Sequence, residues 1–167
     1  MISPHLSPSR RATLTSNSKR RTARLLRRLE CDGYTSLHDL AVPGSNANVD
    51  HLVIGPSGVF VVDSKQYSGR VHQSLDGRAW HNHAPLARQL EVVAWEAATI
   101  AHVLGVRVDP LVCVHGAEVA DGGLIAHGVA IVPAARLRAA LGADPVLSAA
   151  DVGVLAAMAQ TRFRAAA

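Results

Sequence analysis

Aromatic residues are scarce: two each of Trp, Tyr and Phe make up 4% of the 167-residue chain. A core built around large rings is excluded. Burial falls instead to Ala, Val and Leu, because the hydrophobic share is still 49%. Cysteine is nearly absent too. Cys31 and Cys113 lie far apart, without the CxxC spacing of a zinc site or the density of a disulfide scaffold, and read as reduced, unpaired thiols. No run of eighteen apolar residues occurs, and Met1 to Lys19 lacks the apolar stretch of a secretory signal. No membrane partner and a cytoplasmic location are therefore expected. A glycine-rich phosphate loop ending in Gly-Lys-Ser or Gly-Lys-Thr is also missing, and Gly116 or Gly122-Gly123 precedes no capped helix, which removes nucleotide hydrolysis.

What charge there is sits at one end. Residues 1–30 carry eight Lys or Arg against one Glu, a net +7, leaving −3 for the rest of a chain whose total is +4. A basic stretch suits a polyanion such as nucleic acid, since neutralising phosphates releases counterions and gives sequence-independent affinity. A solvated helix face would carry the same letters. Residues 1–15, rich in Ser, Pro and Arg, read as a flexible basic tail, and 16–167 as one domain, because this length supports a single core. From Ser18 to Leu29, Thr22, Leu25, Leu26 and Leu29 recur at helical spacing. Arg20, Arg24, Arg27 and Arg28 share the other side as a nucleic-acid-binding candidate, and Ser16 or Ser18 is the expected cap.

Strand-like runs follow at Tyr34 to Leu40, Val49 to Gly55, Val59 to Lys65 and Arg70 to Gln73. Leu86, Leu90, Val93, Ala97, Ala101 and Leu104 mark a long helix with Pro85 in its first turn and Gly105 at its end. Pro110 to His115 and Gly128 to Val132 read as later strands. A helix is expected near Pro133, broken at Asp144-Pro145, and another from a Ser148 cap to about Arg164. This order predicts an α/β (α+β) fold, a mixed β-sheet flanked by helices in a single domain.

The second and third strands form a hairpin. If Pro56 and Ser57 are its turn, cross-strand partners have numbers summing to 113, which sets Asp50 against Asp63 and Asn48 against Lys65. Opposed side chains stand about 4.5–5.5 Å apart at Cβ, where like charges repel. A divalent cation, Mg²⁺ or Mn²⁺, would relieve that repulsion by taking one or two carboxylates and filling its shell with water and phosphate oxygens. Alternation puts Lys65 on the face of Asp63 and His51 on the opposite one, where packing or hydrogen bonding is expected of it. Charged strand ends meeting solvent would give the same letters, and a one-residue slip would turn one aspartate to the other face.

Other candidates are weaker. His81-Asn82-His83 offers two imidazoles where a metal site needs three or four ligands. Cys113 in an inner strand reads as a small buried hydrophobe. Trp95 is expected to pack against the sheet, and Trp80 is the more open aromatic, available to stack on a base.

The run from Val49 to Pro56, the run from Gly58 to Lys65, and Gly69 resemble the nuclease-related domain, NERD. The likeness extends from the first helix through the helix at Leu86. It implies a restriction-endonuclease-like fold with a PD-(D/E)xK site, in which Asp50 is the first acid and Asp63-Ser64-Lys65 the D-x-K. Asp50, Asp63 and the main-chain carbonyl of Ser64 would hold the metal, Ser64 contributing backbone only. Lys65 would orient or deprotonate the attacking water and help neutralise the phosphate, while the metal polarises the phosphoryl oxygen. Hydrolysis of DNA phosphodiester bonds is the reaction implied. Gln89 resembles a glutamine of relatives that would touch the site from the helix side; a solvated surface glutamine is its other reading. Two departures stand out: no proline precedes Asp50, and Ser18-Lys19 stands where relatives often carry Gly-Glu. Glu30, at the far helix end, is no substitute. The second reading is therefore a nucleic-acid-binding or scaffold domain that keeps the nuclease fold with little or no turnover.

Overall fold

A computed structural model describes residues 8–142 and 144–165, with side chains from residue 16 onward. Helix α1 spans Pro8–Arg27 and so begins well before Ser16 or Ser18. Pro8 suits a first helical turn, having a fixed φ and no N–H to leave unpaired. Most of the expected tail is thus helical; its residues 1–7 lie outside the described residues. Strands β1 (Thr35–Ala41), β2 (Asn48–Gly55) and β3 (Gly58–Gln66) follow as an antiparallel meander. Next come β4 (Arg70–Gln73), β5 (Ala79–His81), β6 (Ala84–Pro85) and helix α2 (Ala87–Leu104). Pro85 pairs with Trp80 in β6 rather than opening the helix, whose cap is Leu86. The chain continues through β7 (Asp109–His115), β8 (Glu118–Val119), β9 (Leu124–Ala126) and β10 (Val129–Pro133). Helices α3 (Leu137–Leu141) and α4 (Ala149–Arg162) complete it, Ser148 and Asp151 capping α4 reciprocally.

The main sheet has the order β1-β2-β3-β7-β10-β9, with β3, β7 and β10 parallel and the remaining pairs antiparallel. One mixed sheet was expected; a second, β6-β5-β4-β8, is built largely from the β3–α2 connection. Core residues divide by strand alternation. Val53, Phe60, Val62, Leu111 and Cys113 face Leu26 of α1 and Leu137 and Leu141 of α3. Leu52, Ile54, Val61, Val112 and Val114 face Leu90, Val93 and Ile100 of α2 and Leu155 and Ala159 of α4. Each such aliphatic side chain taken from water contributes about 1.5–3 kcal/mol, so the two faces hold the sheet rigid between helices. Trp95, expected against the sheet, lies on the outer side of α2 and is 46% exposed. At the hairpin, Gly55 is required by close approach, since a Cβ there would overlap the Tyr34 ring. Among the described residues no helix is long and apolar enough to cross a membrane.

Candidate active site

Strands β2 and β3 pair in the expected register from Gly55 opposite Gly58 to His51 opposite Val62, and the ladder stops there. Asp50 and Asp63 come next in that register but form no backbone pair. Asn48, expected against Lys65, pairs with Ala41 of β1 and is exposed, while Lys65 lies against Val114 of β7. Two local features mark the place. In β1, Asp39 adopts φ 50 and leaves its position opposite Asp50 unpaired between the His38–His51 and Leu40–Val49 pairs, with the register the same on either side. In β2, Asp50 turns its own carboxylate toward β3, and Oδ2 accepts the Ser64 amide at 2.9 Å. A side chain thus replaces a backbone carbonyl where the strands part.

Asp50 is buried, and burial first, then the charge of Asp63, raises its pKa against the opposing pull of Lys19 and the Ser64 amide. Helix α1 delivers that lysine: its Nζ lies 2.7 Å from Asp50 Oδ1 and 3.4 Å from Asp39 Oδ1. Burial pulls the Lys19 pKa down, and the hydrogen bonds and charges of Asp50 and Asp39 outweigh it, leaving it raised. Asp63 is matched in the same way by Lys65, whose Nζ donates to Oδ1 at 3.0 Å and lies 2.7 Å from Oδ2. Both oxygens of Asp63 thus face one ammonium, and among the described residues no other group donates to the buried Oδ2. Burial lowers the Lys65 pKa, and Asp63 more than restores it, so the side chain is held as an ammonium.

A further acid comes from α2. Glu96 sits within the sheet-facing stripe of that helix, buried beside Val93 and Ala97. Burial and then the charges of Asp63 and Asp50 push its carboxyl up to about 7. Gln89 precedes Glu96 by two helical turns on nearly the same face and is exposed at the N-terminal end of α2. The signal for Glu96 was one charged letter in an otherwise apolar stripe. Tyr67 was also missed. It stacks on His81 with ring centroids 4.1 Å apart, and burial raises its phenol pKa while Lys65 opposes the shift. His81 is further tied to the Ser68 carbonyl at 2.7 Å. Trp80 donates its Nε1 to Ser74 Oγ at 3.1 Å. As they stand, no three His, Cys, Asp or Glu side chains gather at metal-binding spacing among the described residues.

Behind β3, on the α1 side, lies a different polar group. His38 Nδ1 and His51 Nδ1 are 2.7 Å apart, His51 Nε2 and Ser64 Oγ 2.9 Å, and Thr22 Oγ1 and His115 Nε2 2.8 Å. Ser64 Oγ donates to Thr22 Oγ1 at 2.8 Å and so connects the two halves. Burial, then the charges of His38 and Lys19, push His51 down to about 3, so it is neutral with one donor and one acceptor. Its Nε2–H then donates to Ser64, its Nδ1 accepts from His38, and Thr22 donates to His115. Ser64 therefore does not contribute backbone alone, and the hydrogen-bonding role expected of His51 is present. His115 Nδ1, at the end of the chain, is buried without a hydrogen-bond partner.

Arg20, Arg24 and Arg27 are exposed on α1, and Arg28 is exposed in the turn just after it. Lys19 and Arg20, with His38, Asp39 and His51, line a cavity of about 640 Å³ beside Asp50. Arg21, Arg24 and Arg28 border a smaller one of about 260 Å³ next to His115. Glu30 is exposed in the 3-10 turn Glu30–Asp32.

A mixed α/β sheet between helices, with acids and a lysine where two of its strands part, is nuclease-like in architecture. The model of the nuclease-related domain matches residues 15–115, more than half of the chain, and the protein belongs to that family. It is similar to an uncharacterized protein of Bacillus anthracis, 37% identical over 60 residues that make up 34% of this chain and 28% of that protein. The match thus spans well under half of the relative's length. No solved structure matches the chain.

Proposed function

We propose that this domain is a Mg²⁺- or Mn²⁺-dependent nuclease hydrolysing DNA phosphodiester bonds through Asp50, Asp63 and Lys65. The observation that carries the reading is the early end of the β2–β3 ladder at two neighbouring enclosed carboxylates, Asp50 and Asp63, with the Lys65 ammonium beside Asp63. An all-oxygen donor set of mutually repelling carboxylates fits a hard divalent cation and offers nothing to a thiophilic one. Asp50, Asp63 and the Ser64 carbonyl would hold it, and its contribution there is Lewis-acid activation of phosphate and water.

The chain's own groups do the rest. The Ser64 amide fixes the Asp50 carboxylate. Lys65, kept protonated by Asp63, acts as a donor to phosphate oxygen and stabilises charge that builds in the transition state, rather than removing a proton. The exposed arginines of α1 bind the flanking phosphates. Plasmid nicking with Mg²⁺ or Mn²⁺ by the wild type, Asp63→Ala and Lys65→Ala tests the reading. Activity in the wild type alone is expected; equal activity in all three would sink it.

A second reading, nucleic-acid binding without turnover, is favoured by one observation: the 2.7 Å ion pair between Lys19 and Asp50. A lysine that already neutralises a would-be metal ligand weakens cation binding. Salt-sensitive DNA binding with no nicking at millimolar metal would select this reading.

A further inference from the structure

The arginines along α1 divide between two cavities. Arg20, with Lys19, borders the one beside Asp50, whereas Arg21, Arg24 and Arg28 border the smaller one, of about 260 Å³, next to His115. Positions 21, 24 and 28 fall at i, i+3 and i+7, so one stripe of helical spacing delivers three guanidinium groups to one opening. Like charges at that spacing repel. Among the described residues no carboxylate borders the cavity, and none of the three arginines forms an ion pair. Arg21 donates one long hydrogen bond, to Gln66 Oε1 at 3.4 Å. The negative end of the helix dipole favours cations in and after the last turn, where Arg24 and Arg28 stand, but Arg21 lies a turn earlier.

His115, which borders the same cavity, adds an independent sign. It is 2% exposed, and its Nδ1 is buried without a hydrogen-bond partner. The direction of the relay identifies that atom. His51 donates to Ser64, Ser64 to Thr22, and Thr22 therefore to His115 Nε2. Burial and then the charge of Arg21 lower the His115 pKa, which keeps the ring neutral, and a neutral imidazole accepting at Nε2 carries its hydrogen at Nδ1. A buried donor lacking an acceptor thus adjoins three cations lacking a counter-charge, and an oxyanion answers both. We infer that this cavity is a subsite for one phosphate group of a nucleic-acid strand, gripped by Arg21, Arg24 and Arg28 and met by the Nδ1–H of His115. It is smaller than the roughly 300–1,000 Å³ of sites for drug-sized ligands, which suits a lone phosphate and leaves its nucleoside outside. Planar guanidinium forks match phosphate oxygens. The inference rests on the nucleic-acid binding common to both readings of the domain, and on neither metal nor turnover.

Inorganic phosphate titrated into the full chain at low ionic strength, followed by calorimetry, is the test. The wild type should bind it saturably, and Arg21→Ala and Arg24→Ala should each bind at least ~10-fold more weakly. Arg162→Ala removes the same charge from an exposed site on α4, against the other face of the sheet, and should change affinity by less than about twofold. Equal weakening in all three variants, or no saturable binding by the wild type, would overturn the subsite. In long-range ¹H–¹⁵N spectra the His115 Nδ1–H resonance, assigned by its loss in His115→Gln, should move along the same isotherm. Bound phosphate that leaves it unmoved would overturn the part given to His115. Oligonucleotides ending in a 5′-phosphate or a 5′-hydroxyl, with metal withheld, identify the source. Equal Arg21-dependent binding of both assigns a backbone phosphodiester, and an Arg21-dependent preference for the phosphorylated end assigns a terminal phosphate. Phosphate binding by a protein that holds neither oligonucleotide would overturn nucleic acid as the source, and both readings of the domain with it, while the anion site stands.

Discussion

The two sides of β3 around Asp63 and Ser64 are both polar and both largely enclosed, yet they are satisfied in different ways. On the α1 side, His38, His51, Ser64, Thr22 and His115 form one hydrogen-bonded chain of neutral groups, in which donors and acceptors match until its last nitrogen. On the other side, Asp50 and Asp63 are each held by one lysine, Lys19 and Lys65, while Glu96 has no ion pair among the described residues and its carboxyl is pushed up to about 7. A closed neutral network holds structure together, because every partner would be orphaned by the loss of another. An open charged cluster costs stability and is retained for chemistry. Single-residue changes on the two sides should therefore fail differently.

The largest expected effect lies on the charged side. Asp63→Ala or Lys65→Ala should reduce plasmid nicking by roughly 10³-fold, the scale of losing a group that stabilises transition-state charge, with little change in melting temperature. Loss of activity only in parallel with unfolding would erase the contrast between the sides. Next is acid lability of the neutral side. His51 has its pKa lowered to about 3 from 6.5, so the stability it contributes is full above about pH 6.5 and is lost as pH falls toward 3. Urea titrations between pH 7 and pH 4 should show a loss of several kcal/mol that His51→Leu attenuates. Removing His51 as His51→Ala at pH 7 should cost about 3 kcal/mol, since it leaves Ser64 and His38 unpaired and opens a cavity. A wild-type melting curve would show that the relay supports nothing.

Glu96 gives the opposite sign. Its folded pKa is raised from 4.5 to about 7, so without metal it destabilises the protein above that range and does so progressively less as pH falls toward 4.5. Glu96→Gln should stabilise the metal-free protein at pH 8 by about 1–3 kcal/mol, with the gain vanishing near pH 4. A gain independent of pH would point to packing rather than charge. The smallest effect is on the surface. Replacing Arg20, Arg24 and Arg27 together should flatten the dependence of DNA affinity on salt by about two to three in log–log slope, leaving stability unchanged. An unchanged slope would assign those arginines to a solvated face.

Much of this was legible in the sequence for local reasons. The Pro56-Ser57 turn between two β-branched runs fixed the hairpin register, and it holds from Gly58 back to His51. The capped α4 and the apolar spacing of α2 were equally local signals. The ladder ends one pair short of Asp50 and Asp63, where two local features leave no periodic trace: the left-handed backbone at Asp39 and the carboxylate-to-amide bond at Ser64. Lys19 was visible as a departure, but its ion pair depends on how α1 packs across the sheet. Periodicity alone does not say which of two polar letters on one helix face, Gln89 or Glu96, is covered. The relay draws on α1 and on strands β1, β2, β3 and β7, and no window of sequence spans them.

Ser64 stands at the position that D-x-K notation leaves open to any residue. In this domain it is the least interchangeable of the three letters. Its amide goes to Asp50, its hydroxyl hydrogen to Thr22, and its hydroxyl oxygen receives His51. Alanine there would keep the amide and break the relay, valine would fill the space without donating, and proline would remove the amide. In a saturation library the tolerated set at position 64 should shrink to serine and its nearest hydroxyl or thiol neighbours. An unconstrained letter in the motif would then mark the place where the two sides of the strand constrain each other.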